Sequence, residues 1–145
     1  MATESIAHVS IVVFKSTPVD YQKLRHAALW FQFDDKSGSF VIHAVGVPSR
    51  FSVQVDPTYD PLQSTKFAKQ VDVGYLKRPM TSSQLQYLMR KTEVDNSDRE
   101  FNCQVWVQKA LERLKDDRQL SEEEYSNGLD GLVDATMEAE DEADR

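Results

Sequence analysis

The chain holds one cysteine, Cys103, and three histidines, His8, His26 and His43. A cysteine thiolate is a strong nucleophile, and an imidazole beside it can take the thiol proton and return it to a leaving group. Cys103 opens the stretch CQVWVQKALERL, where a polar loop becomes a helical pattern. Asn102 is a good N-cap, which puts Cys103 in the first helical turn. A sulfur there meets unpaired backbone N–H groups and the positive end of the helix dipole, which favour the thiolate. The same N–H groups suit an oxyanion developing beside the sulfur, so Asn102 is read as an oxyanion and positioning residue. The plainer reading is a core thiol, because free cysteine behaves as a small hydrophobe.

His26 and His43 are more informative as a pair than singly. Treating DDKS (34–37) as a four-residue hairpin loop pairs Phe33 with Gly38. His43 then falls opposite Ala28, with His26 its diagonal neighbour on the same face. Diagonal pairs lie about 7–8 Å apart at the backbone, within reach of long side chains. One imidazole can then orient the other, as a triad's third member does. A one-residue change in loop length would put them on opposite faces.

The elements that must position these groups are legible as patterns. Apolar and β-branched runs predict strands at 6–14, 26–33, 39–46, 50–55 and 66–76. DPTYDPLQS (56–64), with Pro57 and Pro61, reads as a loop. Thr81 and Gln84 fit a capping box ahead of a helix over 82–92. Cys103, Trp106, Val107, Ala110, Leu111 and Leu114 fall at i, i+3, i+4, i+7, i+8 and i+11, a full apolar stripe. Ser121 and Glu124 fit a second capping box before a helix weakened by Gly128 and Gly131. Strands first and helices after predict an α+β domain: an antiparallel sheet of about five strands with two to three helices packed on it. A single catalytic-type domain is expected over 1–138, with an acidic, disordered tail at 139–145.

The net charge of −7 is unevenly spread: residues 121–145 carry −9 and residues 1–120 carry +2. The body has no basic footprint, so nucleic acid is not an expected partner. No apolar run approaches transmembrane length and no signal peptide is read, so the expected location is the cytoplasm of a soluble protein. One cysteine leaves no internal disulfide, and no ligand pair shows the spacing of a metal site; neither metal nor other cofactor is expected.

The segments HAALWFQFDDKSGSFVIH (26–43) and FNCQVWV (101–107) resemble the circularly permuted NlpC/P60 superfamily of papain-like thiol enzymes. Within it the lecithin:retinol acyltransferase-like group is most similar: a histidine opening a strand, a second closing the next, and a later Asn-Cys-x-x-aromatic element. The resemblance implies Cys103 as nucleophile, His26 as general base and His43 as the orienting third residue. Asn102 matches the motif's asparagine and Trp106 its aromatic position. PPPDE-type isopeptidases are a related second match, and would favour His8 as an alternative base. The hairpin loop is longer than in the acyltransferase group. No C-terminal membrane anchor of the kind common there is read, which argues against a lipid substrate on a membrane. The style of the chain also resembles small fungal proteins.

The expected activity is therefore cysteine-dependent hydrolysis or acyl transfer on an amide, ester or thioester, with a small-molecule, peptide or isopeptide substrate. Trp30, Trp106 and Arg50 are candidate pocket residues, although both tryptophans serve equally as core. The alternative is a non-catalytic interaction protein on the same scaffold, with the acidic C-terminal helix as its binding element.

Overall fold

A computed structural model describes residues 4–34 and 38–139. Five strands come first: β1 (Ala7–Phe14), β2 (His26–Phe33), β3 (Phe40–Val45), β4 (Ser52–Pro57) and β5 (Phe67–Tyr75). Three helices follow: α1 (Ser82–Arg90), α2 (Cys103–Asp116) and α3 (Glu122–Met137). Short 3-10 turns at Gln22–Leu24 and Pro61–Gln63 interrupt the longer connections, which the apolar pattern did not foretell. The sheet is antiparallel throughout, in the order β4-β3-β2-β1-β5. The expected α+β architecture, an antiparallel sheet with helices packed on it, is the one observed.

Alternation sorts the strand residues onto two faces. Ala27, Leu29, Phe31 and Phe33 join Phe40, Ile42 and Ala44 in the main core, beneath the buried stripe of α2. Val12, Ala28, Trp30 and Val41 form a smaller cluster on the opposite face, with Phe14 and Phe67 against it. Both faces of the central strands are therefore apolar, which is why β2 reads as a near-continuous hydrophobic run. β4 is an edge strand, so it tolerates Pro57 at its end. It begins and ends two residues later than its composition suggested, and this brings Asp56 into the sheet opposite Val41.

Side-chain caps fix where the helices begin. Thr81 with Gln84, and Ser121 with Glu124, form complete capping boxes. The Asn102 side chain accepts from the Val105 N–H at 3.0 Å and sets the start of α2. Gly131 is more than a weak point in α3: a Cβ there would collide with Val71 of β5, so its absence lets helix and strand approach. Of the expected acidic tail, residues 140–145 lie outside the described residues. Ala139 is described, is buried, and accepts a hydrogen bond from the Gln22 side chain at 3.2 Å.

Candidate active site

His26 is the first residue of β2 and His43 the fourth of β3. The two strands pair Leu29 with Ile42, Trp30 with Val41 and Phe31 with Phe40. Extending this register puts His43 opposite Ala28, as the loop length predicted, although residues 35–37 of that loop lie outside the described residues. His26 Nε2 and His43 Nδ1 are 2.6 Å apart. His43 Nε2 is in turn 2.8 Å from Asp56 Oδ2, and the Gln54 side chain donates to Asp56 Oδ1 at 2.8 Å.

The protons in this chain follow from donor and acceptor types. An ionised Asp56 only accepts, so His43 Nε2 carries the hydrogen. Neutral His43 then offers Nδ1 as an acceptor, and His26 Nε2–H donates to it. His26 Nδ1 is left with a bare lone pair, the state a general base needs. Burial, and then the positive charge His43 would carry, lower the His26 pKa to about 4; the Asp56 carboxylate opposes this. His26 is therefore neutral at pH 7.

Cys103 is buried on the helix side of the sheet. Its Sγ donates to the Arg25 carbonyl at 3.8 Å, immediately before His26. Burial pushes the thiol pKa up; the backbone N–H groups of Ala27, Gln104 and Cys103 pull the other way with less effect. The expected helix-terminus activation is therefore present in the N–H groups and outweighed by desolvation. Gln104 donates to the carbonyls of Gln22 and Arg25, both at 2.9 Å, and so ties the start of α2 to the chain entering β2.

His26 lies on the open face of the sheet and Cys103 on its helix side, with the Cys103 sulfur on the residue just before His26. Both line one cleft of about 400 Å³, with Leu24, Phe51, Phe101 and Asn102 among its walls. A second cleft of about 510 Å³ lies on the open sheet face and includes His26, His43 and Asp56. His26 belongs to both.

The remaining candidates are elsewhere. His8 meets Asp72 and stacks against Tyr75 at a centroid distance of 4.9 Å. It pairs across from Gln32 whereas His26 pairs with Phe14, so six strand positions, about 20 Å, separate it from the cysteine end. Trp30 packs in the open-face cluster, and Trp106 is core with its indole N–H on the Thr92 carbonyl at 2.9 Å. Arg50 is exposed in the turn after β3, where its N–H closes on Val47. The Asn102 side chain serves the helix cap, leaving the Cys103 and Gln104 N–H groups as the donors beside the sulfur. Asp56 is the member sequence reasoning missed, because Pro57 and Pro61, which follow it, suggested a loop. The alternation of β4, carried one residue further, was the available signal. No group of three or more metal-ligating side chains with metal-site geometry occurs among the described residues.

Fold and site together define an α+β protein with a His–His–Asp chain at one end of its sheet and a helix-initiating cysteine around the corner. The chain belongs to a family of unknown function (DUF6540), whose model matches residues 9–121. That span takes in His26, His43, Asp56 and Cys103 and leaves out His8. No curated protein and no solved structure matches the chain.

Proposed function

We propose that this protein is a cysteine-dependent hydrolase or acyl transferase of the permuted NlpC/P60 type, with Cys103 as nucleophile and His26 as base. The observation that carries this reading is the chain Asp56–His43–His26, with contacts of 2.8 and 2.6 Å, ending at a His26 that lines one cleft with Cys103. In the resting protein both reacting groups are neutral, thiol and imidazole. Reaction requires the sulfur to swing from the Arg25 carbonyl toward His26 Nδ1. Sγ then bonds to the substrate carbonyl carbon while its proton passes to Nδ1. His26 returns that proton to the departing nitrogen, oxygen or sulfur, leaving an acyl group on Cys103. Water or a second acceptor releases the acyl group in the reverse sequence. The N–H groups of Cys103 and Gln104 lie beside the developing oxyanion.

Mass spectrometry of the intact chain after exposure to activated esters and anilides tests the reading. A single acyl adduct on Cys103 is expected, absent in Cys103→Ser and much slower in His26→Ala. No adduct with any ester or anilide, or an adduct formed equally fast without His26, refutes it.

A second reading has its own observation. The hydrogen bond of Cys103 to Arg25 and its raised pKa suit a core thiol. The exposed Val133 and Met137, among the acids of α3, then supply an interaction face. Under this reading Cys103→Ala leaves every function of the protein intact.

A further inference from the structure

The open-face cleft has a composition that the chemistry at Cys103 does not require. Its apolar lining is the buried Val41 and the partly buried Phe14, with the exposed Leu24 beside them. Lys15 and Lys66 are exposed at its rim, where the start of one connection pairs with the end of another through Lys15 N–H on the Lys66 carbonyl at 2.8 Å. Neither ammonium forms an ion pair among the described residues. Lys66 Nζ reaches only the Thr17 hydroxyl at 3.5 Å, and Lys15 acts on Asp20, whose carboxylate Arg25 already holds. The Tyr59 ring, half-exposed, forms another part of the wall. The one acid in the lining, Asp56, has both oxygens engaged, by His43 and Gln54.

Two exposed ammonium groups without a direct ion pair, beside an apolar lining, select a ligand with one anionic end and an apolar body. The fixed negative charge of Asp56 in the same cleft disfavours a dianion, so a carboxylate fits better than a phosphate monoester. Its volume, about 510 Å³, lies in the range of small-molecule sites. His26 lines both this cleft and the Cys103 cleft, so a ligand filling this one lies against the imidazole.

We infer that the open-face cleft binds the carboxylate end of an apolar organic acid, and that the substrate of the site carries such a group. The substrate half of this inference rests on the proposed thiol chemistry; the binding half does not.

The test is a titration of the full chain followed by amide NMR, with hexanoate, 1-hexanol and hexyl phosphate as probes. Hexanoate is expected to shift amides of residues 14–17, 41–43 and 59–66 saturably, and to bind at least about fivefold tighter than hexanol. Lys15→Gln with Lys66→Gln, both at exposed positions, is expected to remove that advantage and leave the rest of the spectrum unchanged. Equal binding of hexanol, full retention in the double variant, or shifts confined to the Cys103 cleft each overturns the inference. Tighter binding of hexyl phosphate overturns the choice of carboxylate. Cys103→Ser should bind hexanoate within about twofold of the parent chain. Lost acylation with intact hexanoate binding therefore defeats the catalytic reading alone, and intact acylation without hexanoate binding defeats this inference alone.

Discussion

His8 and His26 stand at opposite ends of the same sheet face, and each end pairs imidazole with aspartate. At the His8 end the aspartate is Asp72, whose side chain is 76% exposed, and the imidazole partner is a surface tyrosine ring. At the His26 end two imidazoles stand in series, and Asp56 is 31% exposed beside a His43 that is 13% exposed. The first pair is open to water on its aspartate side, where the interaction is screened, although the His8 side chain itself is only 20% exposed. The second is sheltered, so each hydrogen is assigned by the next group in line, and the last nitrogen is left bare. Histidine plus aspartate is thus an ordinary surface pairing at one end and a directional chain at the other. The extra histidine and the burial make the difference.

The largest expected effects fall on acylation of Cys103. His26→Ala should slow it by about 10²–10⁴-fold, the usual contribution of a positioned base, and His8→Ala should leave it within about twofold. Comparable losses in both, read by single-turnover mass spectrometry, would erase the distinction between the two ends. Next in size is the aspartate comparison. Asp56→Asn keeps the shape and removes the charge that holds the His43 tautomer, and should cost about 10–100-fold in the same assay. Asp72→Asn should cost nothing measurable.

Acid sharpens the comparison without a substrate. The folded-state pKa of His26 is depressed from 6.5 to about 4, so the unfolded chain takes up this proton first as pH falls. The stability this neutral histidine represents is full above pH 6.5 and lost progressively by about pH 4, amounting to roughly 3 kcal/mol. Urea midpoints across that window should fall less steeply in His26→Gln than in the parent chain. The smallest effect concerns the thiol itself. Burial should place the midpoint of Cys103 alkylation above the ordinary thiol range, and slow the reaction at pH 7 relative to a free cysteine. Fast alkylation at pH 7 would mean that the sulfur already faces His26.

Much of this arrangement was legible because β-structure has a strict parity. One loop length, DDKS, gave the β2–β3 register and with it the meeting of His26 and His43. The 3.6-residue stripe of α2 gave the burial of Cys103. What the two periods did not give is their relation. Strand parity puts His26 on the open face and helix periodicity puts Cys103 toward the covered one, and neither says how the helix start crosses the strand end. Asp56 was hidden for a different reason. Aspartate followed directly by proline favours a turn by local preference, and only pairing with β3 draws it into the sheet.

The chain separations within the site have a consequence for how it is assembled. His26 and His43 are 17 residues apart and His43 and Asp56 are 13, all within hairpin-connected neighbours. Cys103 reaches Arg25 across 78 residues. Short loops close at lower entropic cost than long ones, so the pair of imidazoles is expected to come together early in folding and Cys103 to arrive late, with the docking of α2. Pulse-labelled hydrogen exchange should then protect β2 and β3 before α2. A folding chain would thus join its two histidines before its one thiol is in place.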